Sequence, residues 1–272
     1  MCNNISYGML FSMMKFNIHK SLIPIGISDD DYSRLAKVYD ADDALMEQVV
    51  STIEKSNALY AQRITEKFDF AKLIEKPITL AFLGDSITSD RQSYFNIIRK
   101  ATGNGNAVFV DYAISGQKSG DLFTVMYPDI ISVHSDIAHI MIGTNDMRRM
   151  NDEMRLYHTS PEEYEKNLDY IVRALVNDGT KVILTTIPPV SQEKVTKNYP
   201  DHRMLFLEED RVLFNNILSR IAEKYGATLN NMDSFYCQYT TEELTIPDGI
   251  HLNALGQELL SYGVMQTILD VL

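Results

Sequence analysis

A serine, a histidine three residues after an aspartate, and two loops carrying glycine and asparagine are the groups in this chain with the means to do chemistry. Ser86 stands in Gly84-Asp85-Ser86-Ile87, directly after the apolar run Ile78-Thr79-Leu80-Ala81-Phe82-Leu83. A buried strand that opens into a loop here would fix the backbone and present a small, exposed hydroxyl, a suitable setting for a nucleophile. Gly-Asp-Ser also ends many strands for ordinary turn reasons. A serine hydroxyl is a weak nucleophile at neutral pH and needs a base, which in turn needs a carboxylate to orient it. Asp248 and His251, in Pro247-Asp248-Gly249-Ile250-His251-Leu252-Asn253, meet that need, because their spacing in a turn or at a helix start puts both on one side. Taken alone, the pair reads more readily as a capped helix start with an incidental histidine.

Attack on a carbonyl also calls for donors to the oxyanion. In Ile114-Ser115-Gly116-Gln117-Lys118-Ser119-Gly120, Gly116 lets a substrate approach the backbone closely, so its N–H is a candidate donor. A plain strand-to-helix turn explains that glycine equally well. In Ile142-Gly143-Thr144-Asn145-Asp146, the Asn145 amide is a second candidate, with a helix cap as the alternative.

The elements that must position these groups follow from the apolar pattern. Short Val- and Ile-rich runs at 78–83, 107–113, 137–142 and 181–186, with a weaker one at 228–232, read as strands of a parallel sheet covered on both faces. Between them lie amphipathic helices. One starts after Ser160-Pro161-Glu162-Glu163 and stops at Gly179, one covers about 208–225 before Gly226, and one runs from about Ala254 to the end. This alternation predicts an α/β domain of three layers, in which ligands gather outside the carboxyl ends of the strands. Each segment named above falls at such an end or in a late loop. The first 76 residues instead have a helical pattern. Asp29-Asp30-Asp31 suits a helix start, and Met46, Val49, Val50, Ile53, Asn57, Tyr60, Ile64 and Phe68 form one stripe. The stripe suits packing on the chain's own domain, or, as the alternative, a homodimer through this helix.

Together the four segments, in this order, resemble the SGNH hydrolases, also called the GDSL esterase/lipase family. The resemblance spans 77–272 and leaves 1–76 as an N-terminal helical extension. It implies a flavodoxin-like three-layer α/β/α sandwich with a mainly parallel five-stranded sheet, no metal and no organic cofactor. It also implies roles: Ser86 as nucleophile, His251 as general base, Asp248 as its orienting carboxylate, and the Ser86 and Gly116 N–H groups with Asn145 as the oxyanion hole. The expected activity is hydrolysis of carboxylic esters through an acyl-enzyme. Tyr112 and Ala113 depart from the family pattern, which commonly has asparagine and glycine there, so the shape of that loop is expected to differ. Thr88 stands where the Gly-x-Ser-x-Gly elbow of α/β-hydrolases requires glycine.

Composition narrows the partners. A net charge of −12 argues against nucleic acid, which needs clustered Lys and Arg, and against anionic membranes. Cys2 and Cys237 make no disulfide framework and read as inert thiols in a reducing compartment. There is no clear secretory signal and no run of about 18 apolar residues, so a cytoplasmic protein without integral membrane association is the expectation. Gly103-Asn104-Gly105-Asn106 reads as a turn, His134 and His139 as structural, and Arg148 and Arg149 as a solvated loop. The stretch 188–207 follows a strand and is expected to border the site. A small-molecule, carbohydrate or lipid ester is the expected substrate, with acetyl mildly preferred because no long apolar lid is visible. Deacetylase, lipase, lysophospholipase and thioesterase activities stay open. So does a binding module that keeps the fold without the chemistry.

Overall fold

Five short runs of apolar residues pair side by side as a parallel sheet, in the order 107–111, 78–84, 137–141, 181–185 and 228–230. In this computed structural model, which describes residues 5–22, 28, 30–75, 77–103 and 105–272, the strands are β1 (Ile78–Gly84), β2 (Ala107–Asp111), β3 (Ile137–Met141), β5 (Lys181–Thr185) and β7 (Thr228–Asn230). Cys2 and Asp29 lie outside the described residues. Central β3 is buried along its whole length, with Leu80 of β1 opposite Ile137 and Ala138 opposite Val182 of β5. The run at 107–113 is the exception to the expected coverage. It ends as a strand at Asp111, lies at the sheet edge and leaves Val108 54% exposed.

Strand alternation divides the core into two layers. Ala81, Leu83, Ala138, Ile140, Val182 and Leu184 pack on helices Pro161–Asn177 and Glu208–Tyr225. Leu80, Phe82, Ile137, Met141 and Ile183 face the opposite way, toward helices Tyr94–Thr102 and Ala254–Val271. The three-layer α/β/α sandwich is therefore as expected. The predicted helix ends hold as well: Ser160 accepts from the Glu163 N–H with Pro161 following it, and Gly226 closes helix 208–225 in the left-handed conformation. A two-stranded antiparallel pair, β4 (Arg149–Met150) with β6 (Met204–Leu205), has no counterpart in the sequence reading, since two-residue strands carry no periodicity.

The N-terminal stripe is buried within the chain. Helix Asp43–Lys67 starts at Asp42, whose side chain accepts from the Leu45 N–H. Met46, Val49 and Ile53 close a small core with Leu10 and Met14 of helix Tyr7–Lys15, Leu35 of helix Tyr32–Val38 and Tyr39 just after it. Further along, Ile64 joins Leu80, Phe82 and Ile98 in the main core. The stripe thus packs within its own chain, as in the first of the two readings. Among the described residues, no helix is long and apolar enough to cross a membrane.

Ile64 is fully buried in a core shared by extension and sheet. Ile64→Ala should therefore destabilise the whole protein by about 2–5 kcal/mol in urea unfolding. A loss below about 1 kcal/mol would show that the extension is only loosely docked.

Candidate active site

β1 delivers its serine through a point of close approach. A Cβ on Gly84 would meet Thr88 Oγ1 and lie 2.7 Å from the carbonyl oxygen of Met141 on neighbouring β3, so only glycine fits there. Asp85 is extended and caps the short helix Ser86–Ser89, accepting from the Ile87 N–H at 2.9 Å. Ser86 is the first residue of that helix. It is only 8% exposed, against the open hydroxyl expected at a strand end, because the His251 ring lies against it.

His251 Nε2 is 2.8 Å from Ser86 Oγ, and His251 Nδ1 is 2.6 Å from Asp248 Oδ2. The other Asp248 oxygen accepts the N–H groups of Ile250 and His251 at 2.9 and 3.0 Å. Burial works to raise the Asp248 pKa, but these hydrogen bonds and the imidazole outweigh it and hold the carboxyl below its ordinary value. An ionised Asp248 accepts a hydrogen bond from the Nδ1–H, which favours the tautomer with the Nε2 lone pair facing the Ser86 hydroxyl. The segment is a capped helix start, with Asn253 as the cap bonded to the Gly256 N–H, but its histidine is not incidental, since the ring bonds to both Asp248 and Ser86. The turn is braced by the 188–207 stretch, as expected. The Ser191 N–H donates to Gly249 O at 2.8 Å, and Lys194 Nζ reaches the carbonyl oxygens of Glu242 and Thr245.

The two remaining loops converge on the same edge. The Ile114 N–H bonds to Gly84 O, and Gly116 follows with φ 82°, a conformation that favours glycine. Asn145 lies in helix Thr144–Met147, whose cap is Gly143, so Asn145 is no cap. Its amide donates to Gln117 O at 3.1 Å, tying the third loop to the second and leaving its second N–H.

Several supporting groups had no sequence signal. Asp146 is buried and accepts from both the N–H and the hydroxyl of Ser119, and Asn167 in turn donates to that hydroxyl. Burial pushes the Asp146 carboxyl up and, more visibly, Asp85 up to about 6. From the extension, the Phe16 ring packs on the His251 ring with centroids 4.2 Å apart. A lone phenylalanine in a helical segment carries no spacing that would have marked it.

The residues set aside in the sequence sort as follows. His139 is buried between Tyr94 OH and Thr185 Oγ1, and burial drives it down to about 3, so it is a neutral structural group. Exposed His134 pairs with Asp178. The solvated-loop expectation for Arg148 and Arg149 is overturned. Arg149 makes a two-pronged pair with buried Asp210 at 2.5 and 2.7 Å, and Arg148 is half-buried against His158. Among the described residues, no cluster of His, Cys, Asp or Glu is placed to hold a metal ion.

A family model described as the GDSL-like Lipase/Acylhydrolase family matches residues 82–259. The chain belongs to that family. It is a carboxylic ester hydrolase of the GDSL/SGNH type. No curated protein sequence matches it significantly. Among solved structures, the acetyl xylan esterase AlAXEase is 20% identical, with a TM-score of 0.56 over 70% of this chain and 100% of the other. An acetylxylan esterase from Geobacillus stearothermophilus is 20% identical with a TM-score of 0.56, covering 71% of this chain and 94% of its own. The lipase/acylhydrolase from Enterococcus faecalis is 17% identical with a TM-score of 0.57, covering 70% and 95%. At these identities the likeness is one of fold.

Asp85 ionises near 3.8 when unfolded but only near pH 6 when folded. Its contribution to stability is thus fully present below about pH 3.8 and lost as the pH rises through 6, by up to about 3 kcal/mol. Asp85→Asn keeps a capping oxygen and never ionises. Its stability relative to wild type should rise between pH 4 and pH 7 in urea melts, and a difference that stays flat would refute the buried-charge account.

Proposed function

We propose that this chain hydrolyses carboxylic esters through an acyl-enzyme formed on Ser86, with a mild preference for short acyl groups such as acetyl. One observation carries the reading: a carboxylate, an imidazole and a hydroxyl joined in series at 2.6 and 2.8 Å. In it, His251 Nε2 takes the Ser86 proton as Oγ attacks the carbonyl carbon. The Ser86 and Gly116 N–H groups and the Asn145 amide receive the negative oxygen. Asp248 stabilises the imidazolium. His251 then gives its proton to the departing alcohol oxygen, and the acyl group stays on Ser86. Water enters, loses a proton to His251, attacks the same carbon and releases the acid, with the proton returned to Ser86 Oγ.

The preference for acetyl is supported by a sequence without a long apolar run that could serve as a lid and by fold neighbours named as acetyl xylan esterases. The division into an extension, 1–76, and a hydrolase domain, 77–272, is supported by the start of the family match at residue 82. The exposed free thiol of Cys237 favours a reducing, cytoplasmic setting.

Ser86→Ala should remove nearly all turnover of p-nitrophenyl acetate and all labelling by a fluorophosphonate probe. A folded wild type that resists the probe would favour the binding-module alternative. Asn145→Ala should lower kcat by on the order of a hundredfold or more. An unchanged kcat in that variant would remove Asn145 from the oxyanion hole.

A further inference from the structure

Resting on the acyl-enzyme reading of the site, we propose that the N-terminal extension completes the active site, with Phe16 a specificity-determining wall that keeps the alcohol side of the ester small. The turn Lys15-Phe16-Asn17 lies outside the stretch matched by the family, yet it touches three of the loops that build the site. Phe16 packs its half-buried ring on His251, centroids 4.2 Å apart and planes 33° from parallel. The Phe16 carbonyl accepts the hydroxyl of Ser115, the neighbour of Gly116. On the first loop, Lys15 O accepts the Arg91 N–H at 2.8 Å, and Lys15 Nζ meets the buried Asp90 carboxylate at 2.6 Å. Asn17 donates to Ser89 O at 2.6 Å and accepts from Arg91 Nε at 2.8 Å. Bonds on both sides of Phe16 make its ring a fixed wall.

Phe16 also lines a cavity of about 250 Å³, together with apolar Phe11, Tyr60, Ile246 and Pro247 and with polar Gln92 and Gln257. The ring therefore stands between the imidazole and this mostly apolar space. His251 must reach the leaving oxygen, so whatever is attached beyond that oxygen runs past the imidazole. The carbonyl oxygen, on the acyl side of the ester, is held instead by the oxyanion donors. With Phe16 in place, an alcohol that extends toward the cavity meets the ring. Without it, the cavity joins the site and receives an alkyl chain.

The test uses full-length protein and two pairs of esters. Octyl acetate against ethyl acetate probes the alcohol side, and ethyl octanoate against ethyl acetate probes the acyl side. A methylene entering apolar surroundings gains about fourfold in binding. Phe16→Ala should therefore raise the octyl-to-ethyl ratio of kcat/KM at least about tenfold over wild type, and leave the acyl-side ratio within about twofold. Phe16→Leu keeps aliphatic packing on His251 and should give a rise of about threefold, which preserves the test should the alanine variant fail to fold. An unchanged alcohol-side ratio in the folded variants overturns the wall. A rise confined to the acyl side overturns its assignment to the alcohol. Failure of the underlying reading looks different: wild type would be inert toward every ester, or Ser86→Ala would be as active as wild type.

Discussion

Ser86 Oγ, His251 Nε2 and Asp248 Oδ2 must stay within hydrogen-bond range although the first two belong to residues 165 positions apart. Misplacing such groups by about 1 Å costs on the order of a hundredfold in rate. Loops alone are too mobile to hold that tolerance, and the parallel sheet solves half of the problem by bringing β1, β2 and β3 to one edge. The other half falls to bonds between loops. The Ile114 N–H to Gly84, Asn145 to Gln117 O, Asp146 to Ser119, and the Ser191 N–H to Gly249 lace the edge into one body.

Such lacing has to be polar, and it is buried, so it is expensive unless each group is paired. Asp85 and Asp146 illustrate the balance. Both carboxyls are raised by burial, and both are kept by hydrogen bonds from the backbone or hydroxyl groups of the loops they organise. Asp248 is the opposite case. It too is shielded from water, but four hydrogen-bonding and charge contributions from His251 and Ile250 keep it ionised. Carboxylates gathered at one end of the sheet from distant parts of the sequence thus differ in charge behaviour because of what donates to them.

Much of the plan could be read before any coordinates. The strands at 78–83, 137–142 and 181–186 were legible because burial on both faces leaves continuous apolar runs. The Asp248–His251 pair was legible because its geometry is local to one turn. What escaped depended on distant partners. Arg149 reads as a surface charge until Asp210, 61 positions on, is placed beside it. Ser86 reads as exposed until His251 covers it. Phe16 reads as one more apolar residue in a helix. Edge strand β2 shows the converse limit: its composition matches that of the interior strands, and only the order of the sheet exposes it.

The long separation between Ser86 and His251 also has a meaning in time. A ribosome adds roughly 5–20 residues per second, so Ser86 is made on the order of ten seconds or more before the imidazole it pairs with. Phe16 is older still. β1, β2 and β3 can gather with helix Tyr94–Thr102 while the chain is growing, but one face of the sheet waits for helix Ala254–Val271, which follows the imidazole in the chain. Closure of the Leu80 and Phe82 face and arrival of the His251 ring beside Ser86 therefore fall close together in time, and a growing chain that has not reached residue 251 holds Ser86 and its loops without that imidazole.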